Sequence, residues 1–355
     1  MRKILFLSLI CLVITVTLGA GCSLSSSSKS DSSKSGGIYK SVDSGATWSQ
    51  ITAYPTAGGV GNIGMAEILS MVFDPQDNNV VYAGTSEKGL ILSYDAGASW
   101  GSPQDTDLQK DKITAVSVDP KDICTVFAAS ETHLYKTETC GREFESVYDE
   151  ARSKIYLTEI TADWYNEGSV YLGLSNGDVM KSSNSGSGWT KIATLKKEIT
   201  SIAVSNQDSR VVLVGTDNEL WKSSDAGVTW VEKTDSLKDY KSANEIYTIV
   251  QDAAGSTWLL SSKYGILRST DAGETWSNLN LLTSPGQIEI KALAVDPKDA
   301  NKIYYSTATT FYSTTDGGTN WDTLKFDEDG WSVTKLLVDP EETAVIYLGK
   351  EKVED

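Results

Sequence analysis

The chain has 355 residues, 48 of them acidic against 31 basic, a formal net charge of −17, and one histidine. A body this acidic is a poor partner for nucleic acid, whose affinity rests on neutralising phosphates. A single histidine excludes multi-histidine metal sites, and the length permits one large domain or two.

Residues 1–21 read as an export signal, with Arg2 and Lys3 ahead of an apolar stretch from Ile4 to Leu18. The stretch is short for a membrane span, which needs ~20 apolar residues. Its ending, Leu18-Gly-Ala-Gly-Cys22, is similar to a bacterial lipobox, although Leu18 stands four residues before the cysteine instead of three. That resemblance implies a lipidated Cys22 and a protein exported to the bacterial cell envelope and anchored to a membrane there. Loss of Arg2 and Lys3 takes the net charge to −19, with 29 basic residues left against 48 acidic. Residues 22–37 are Ser/Lys/Gly-rich and predict a flexible tether with a reach of about 20 Å.

From residue 38 to 355 the chain repeats itself. Ser41-Val-Asp43-Ser-Gly45-Ala-Thr47-Trp48 recurs as Ser93/Asp95/Gly97/Trp100, Ser223/Asp225/Gly227/Trp230, Ser269/Asp271/Gly273/Trp276 and Thr314/Asp316/Gly318/Trp321. Two copies are degraded: Ser182/Asn184/Gly186/Trp189 lacks the Asp, and Thr137/Thr139/Gly141/Phe144 lacks both Asp and Trp. The steps between copies are 52, 44, 45, 41, 46 and 45 residues, the length of one four-stranded propeller blade. Each box has the chemistry of a tight turn. The carboxylate accepts hydrogen bonds from N–H groups just ahead, the Gly supplies a positive φ, and the Trp is an apolar anchor for the start of the next strand.

This box resembles the Asp-box (BNR) repeat of sialidases, sortilin-type (Vps10) propellers, xyloglucanases and the Ycf48/Hcf136 photosystem II assembly factors. The resemblance implies an all-β fold, a seven-bladed propeller of four-stranded antiparallel blades, with boxes on the rim away from the active face. Between boxes lie apolar first strands beginning at Ile68, Ile113, Leu157, Ile199, Ile246, Ile290 and Val333, most of them ending at Asp. Second strands of the Val-Tyr-x-Gly-Thr type follow at Val80–Thr85, Val211–Thr216, Lys302–Thr307 and Val345–Gly349. The chain opens on a third strand with its box and closes on a first and a second strand with none. The two ends therefore predict one shared blade, two strands from each terminus, which leaves no open edge.

Cys124 and Cys140 flank the hairpin of the third blade, whose box is the most degraded, and predict a disulfide standing in for the missing turn chemistry. In a propeller the first strands line a central channel, and the loops leading into them share the face opposite the boxes. Aligned, these positions carry Glu67, Lys112, Tyr156, Glu198, Glu245, Glu289 and Ser332. Four carboxylates around one opening would attract a cation or a Lys/Arg-bearing partner. Tyr54 in the long loop from Ser49 to Ala66, Tyr240 and Trp331 add candidate aromatic contacts on that face. Inside the channel, Glu159 and Lys335 replace the small residues of other blades, too many blades apart to pair directly.

The expected function is a monomeric, surface-tethered binding or assembly scaffold for a protein or glycan. The alternative is a glycoside hydrolase of the Asp-box type working through paired carboxylates. A sialidase needs an arginine triad, and the mature chain has only Arg142, Arg152, Arg210 and Arg268. His133 alone would have to support any Ser-His-Asp chemistry. No phosphate-binding Gly-rich motif or EF-hand spacing occurs, so no cofactor and no metal are expected.

Overall fold

A computed structural model describes residues 36–353 apart from 105–107, 123 and 327–328. The export signal, Cys22 and the tether up to residue 35 lie outside the described residues. Among those described, no helix is long and apolar enough to cross a membrane.

Seven antiparallel blades follow one another around a channel. Six are four-stranded, and blade two has three strands, with a single Leu92–Gly101 bridge where its fourth strand would lie. Blade one is the shared one. Its order from rim to channel is Ser49–Gln50, Gly37–Ser41, Ile346–Lys352 and Trp331–Val338. The seam pairs Gly37 with Lys350 through to Ser41 with Ile346, so the last strand binds the first described segment along its whole length.

Second strands such as Val126–Ser130, Val170–Leu174 and Val212–Thr216 are buried at every position because both faces pack on neighbouring blades. That explains their unbroken apolar character, which would be wrong for a strand with one wet face. Every blade-to-blade interface holds its own apolar cluster: Tyr347 with Phe73 and Val81 between blades one and two, for example, or Leu213 with Ile246 and Leu260 between five and six. The Gly of the Val-Tyr-x-Gly-Thr strands belongs to this packing. A Cβ at Gly173, Gly215 or Gly349 would come within 2.6–2.7 Å of the side chain of Ile199, Ile246 or Ile68 in the next blade.

The boxes turn from third to fourth strand as expected, but two of their expected roles need correction. The first concerns the glycine, which does not supply the positive φ alone. Ser44 (φ 59°) precedes Gly45 (91°), Ala96 (54°) precedes Gly97 (82°), and Ala226 (58°) precedes Gly227 (89°). Ala272 (55°) precedes Gly273 (81°), and in box seven both residues are glycines, Gly317 (71°) and Gly318 (91°). The glycine also gives room to the preceding blade. A Cβ on Gly227 would lie 2.6 Å from Ile192 Cδ1, and one on Gly318 would lie 3.2 Å from Leu279 Cδ2.

The second correction concerns the tryptophans, which do not anchor the following strand uniformly. Trp100, Trp189 and Trp321 donate from Nε1 to the carbonyls of Ile51, Val147 and Asn280 in the preceding blade. Trp48 and Trp230 instead fold back on their own turns, donating to the Gly45 and Gly227 carbonyls at 3.0 and 3.1 Å. Trp230 is only half-buried, with its ring on the cluster that holds Tyr171 of blade four. An indole gains apolar contact there while its N–H keeps a partner, so the anchor ties blade to blade more than turn to strand.

The hydrogen bonds of the box follow the expected pattern. In box one the Ser41 hydroxyl accepts from Gly45 N–H at 2.8 Å, and Asp43 accepts from Thr47 N–H and hydroxyl at 2.8 and 2.6 Å. The first left-handed residue also turns its N–H outward to a carbonyl in or just before the second strand. Ser44 donates to Ala344, Ala96 to Asn79, Ala226 to Arg210 and Gly317 to Asn301, at 2.8–2.9 Å. Ser185 donates likewise to Gly168 at 2.9 Å, so these boxes are clamps between two turns of their own blades.

Blade three makes the same clamp with the longest bond, Cys140 N–H to Cys124 carbonyl at 3.3 Å, and there the two cysteines are joined by a disulfide. Thr139 takes part of the role of the missing Asp, accepting from Glu143 N–H at 3.0 Å. The long loop from Ser49 to Ala66 is not irregular; it contains a hairpin, Ala53–Thr56 with Gly59–Asn62. One 3-10 turn, Thr234–Leu237, lies in the loop that carries Tyr240.

Two outcomes follow from the clamps. Hydrogen bonds hold the box carboxylates ionised. The Thr47 and Thr229 hydroxyls lower Asp43 and Asp225, Asn320 N–H brings Asp316 to about 2, and in Asp95 and Asp271 such bonds outweigh partial desolvation. A carboxyl held below its ordinary value near 3.8 contributes stability above that pH and loses it as pH falls towards 2. The unfolding midpoint, followed by circular dichroism, should drop across that window, and Asp316→Asn should flatten the drop; an unchanged slope in the variant would contradict the clamp. Replacing both Cys124 and Cys140 with Ser should cost about 2–4 kcal/mol in denaturant unfolding. Both thiols of the native protein should resist alkylation until a reductant is added.

Candidate functional site

Six of the seven first strands carry the same irregularity. The register slips by one residue just after the strand begins, between Ile68 and Ser70, Ile113 and Ala115, Leu157 and Glu159, Ile199 and Ser201, Ile246 and Thr248, and Val333 and Lys335. A bulge of this kind re-aims side chains at a rim. Here the extra residue is Leu69, Thr114, Thr158, Thr200, Tyr247 or Thr334.

Two cavities open along the channel. The one at the mouth, about 790 Å³, is lined by Glu67, Lys112, Glu289 and Ser332 from the positions ahead of the first strands, together with Glu87, Lys291, Glu351 and Lys352. Leu69, Ile288 and Val353 supply apolar wall. A second, of about 500 Å³, is walled by the first strands of blades four, five, six, seven and one, with Glu159, Glu198, Tyr247, Lys291 and Lys335 among its lining. No arginine lines either cavity. Arg152 is held by Glu150 and Asp178 at 2.7–2.8 Å, and Arg210 by Asp208.

The acidic ring expected from the sequence is thus interrupted by lysines. Glu289 lies 3.6 Å from Lys291, and Glu245 pairs with Lys263 at 2.9 Å and sits outside both cavities. Lys112 pairs with Glu131 at 3.6 Å. Opposite charges alternating around the opening cancel most of the field that four bare carboxylates would focus. Glu198 lines the second cavity, and desolvation, then Asp217, raises its carboxyl pKa. Glu159 is pushed up to about 7 by burial, with Lys335 acting against the rise.

The aromatic candidates fare differently. Tyr54 bonds Ser102 through its hydroxyl at 2.6 Å, and Tyr240 donates to the Trp276 carbonyl at 3.0 Å while its ring packs on Tyr264. Trp331 is 6% exposed and lies against Gly36. Tyr54 and Tyr240 thus fasten their loops to the blade that follows, and Trp331 is buried at the start of its strand. Tyr156 remains 44% exposed. Glu351 and Lys352 escape sequence reasoning, which ends the last strand at Gly349; the strand runs on to Lys352 and carries both to the mouth.

A family model for the photosystem II assembly factor YCF48 matches residues 184–336. A xyloglucanase of Paenibacillus sp is 26% identical over 88% of this chain, and one of Hypocrea jecorina 25% over 81%. The chain spans only 33% and 38% of those relatives' lengths. Among solved structures, the Xanthomonas campestris GH74 xyloglucanase superposes with a TM-score of 0.65 at 18% identity, covering 81% of this chain and 51% of that one. YCF48 bound to D1 peptide superposes at 0.61 and 16%, covering 82% and 93%. With the repeated box turns and the seven closed blades, these likenesses support a BNR-type propeller family for the chain.

Proposed function

We propose that this propeller is an exported binding or assembly scaffold, tethered through a lipid on Cys22, that grips a protein or glycan partner at the channel mouth. The observation that carries the reading is the mouth itself, a wide opening where Glu67, Glu87, Glu289 and Glu351 alternate with Lys112, Lys291 and Lys352 around an apolar wall. Side chains of both signs on one rim suit a partner that answers them with its own charges, and such pairs set orientation and association rate more than raw affinity. The chain enters the disc on this same side, at Gly36 beside Trp331.

One observation favours a second reading, a glycoside hydrolase. Glu159 and Glu198 line one cavity and both carboxyls are raised, Glu159 to about 7. A carboxyl kept protonated near neutrality is what a general acid needs when a second carboxylate assists. Xyloglucanase relatives lend this reading support at the level of fold and distant sequence.

Cross-linking in the native cells, followed by capture of the whole protein, separates the two. Rim pairs are each worth about 0.2–1 kcal/mol, so changing Glu67, Glu87, Glu289 and Glu351 together to Gln should reduce partner capture roughly tenfold or more. Incubation with glucans, xyloglucan and sialosides should release no sugar. Undiminished capture by the fourfold variant would sink the scaffold reading, and sugar release abolished by Glu159→Gln would establish the hydrolase.

A further inference from the structure

One position of the first strands faces the small residue of the second strand in every blade. Ser70, Ala115, Ser201, Thr248 and Ala292 occupy it in five blades, opposite Gly84, Ala129, Gly215, Ser261 and Ser306. The other two blades place Glu159 and Lys335 there, opposite Gly173 and Gly349. Blades four and one are three steps apart in a ring of seven, so these two charges come from nearly opposite sides of the channel, and both line the cavity of about 500 Å³.

They attract one another without meeting. Lys335 lowers the pKa of Glu159, yet among the described residues neither takes part in an ion pair within 4.0 Å. The Glu159 carboxylate accepts one hydrogen bond, from Ile160 N–H at 3.3 Å, and Lys335 donates none to a described residue. Both side chains are partly buried in the channel, and opposite charges held apart there leave room for a group between them that compensates both.

We propose that this cavity binds a small zwitterion of the α-amino-acid type, its ammonium on the Glu159 carboxylate and its carboxylate on the Lys335 ammonium. A cation alone leaves Lys335 uncompensated, and an anion alone leaves Glu159 so. Val250, Leu293 and Leu336 form apolar wall for a side chain. The volume lies within the range of small-ligand sites, roughly 300–1,000 Å³. The site adjoins the mouth, sharing Lys291, Thr334 and Glu351 with it, but Glu159 and Lys335 line only the deeper cavity.

Ionisation of Glu159 gives the site a pH signature. Its carboxyl titrates at about 7, raised by burial, with Lys335 opposing; Glu198, Tyr247, Lys291 and Glu351 are the other titratable groups on the cavity wall. Only the ionised form receives an ammonium, so affinity should climb as pH rises through 7 and then level.

The test is isothermal titration calorimetry of the whole protein with the twenty L-amino acids and glycine betaine. Propionate and Nα-acetyl-lysine methylamide serve as probes of one charge each. At least one zwitterion should bind with Kd below about 1 mM, and both single-charge probes should bind at least about tenfold more weakly. Glu159→Gln and Lys335→Met should each reduce that affinity about tenfold or more, with unfolding midpoints measured alongside. The charge-swapped double variant, Glu159→Lys with Lys335→Glu, should regain binding and covers the case in which a single variant fails to fold. Absence of heat with every zwitterion, equal binding of a single-charge probe, or affinity unaffected by both single variants would overturn the assignment.

Discussion

The structure depends on one antiparallel seam. Gly37–Ser41 pairs with Ile346–Lys352, joining the two ends of the polypeptide inside a single sheet. Without that seam, blade one would be two fragments and the apolar faces of blades two and seven would be open to water. Tyr347 shows the coupling. It belongs to the last strand, packs edge-on against Phe73 of blade two at 5.4 Å, and donates from its hydroxyl to the Ala96 carbonyl in box two at 2.8 Å. Asn78 of blade two reaches the other way, donating to Asp339 of blade one at 3.0 and 3.1 Å. Closure and blade packing therefore support each other, and no blade buries its second strand alone.

The box is a device for local precision within that ring. Its carboxylate and hydroxyl organise a turn on two left-handed residues, and the N–H of the first of these fastens the turn to a carbonyl in or just before the second strand. A left-handed conformation is costly for residues with a Cβ, and the repeat accepts that cost at Ser44, Ala96, Cys140, Ser185, Ala226 and Ala272. Box seven avoids it by placing Gly317 ahead of Gly318. Elsewhere the compensation is the ladder of short bonds to Asp or its substitute. Where Asp is lost in blade three, a covalent link joins the same two turns. These clamps lie on the face away from the mouth, which leaves the mouth residues free to vary without loosening the blades.

The sequence disclosed the fold more fully than the site. Period, box, paired ends and the Val-Tyr-x-Gly-Thr strands are properties of the backbone repeat, and each copy reinforces the others. Even so, identical box letters hide different contacts: Trp230 bonds its own Gly227, whereas Trp100 bonds the preceding blade, and only the neighbour's loop decides which. Glu67, Lys112, Glu289 and Ser332 line one opening, a placement that follows from register alone. What register does not give is the neighbour across the gap: the lysines that interrupt the acids depend on where Lys291, Lys352 and Lys263 point. Tyr54, Tyr240 and Trp331 are of a type that often binds ligands, yet each packs within the protein: Tyr54 on Ser102, Tyr240 on Trp276 and Trp331 against Gly36. Blade two's missing fourth strand was also hidden, since its Gly101-Ser102-Pro103 run follows an intact box and only the pairing shows that one residue bridges.

Ring closure can be tested by copying chemistry that the protein already uses. Ser44 and Ala344 in blade one correspond to Cys140 and Cys124 in blade three: in both blades the first residue donates its N–H to the carbonyl of the second, at 2.9 and 3.3 Å. The decisive measurement is denaturant unfolding of the Ser44→Cys/Ala344→Cys protein, oxidised against reduced, with the new link located by peptide mapping. Closure predicts a link that forms readily between the two ends of the chain and stabilises the oxidised form by an amount on the order of 5 kcal/mol, as expected for so long a loop. Free thiols at both positions under oxidising conditions, or a link that lowers the unfolding midpoint, would contradict a ring closed at this blade.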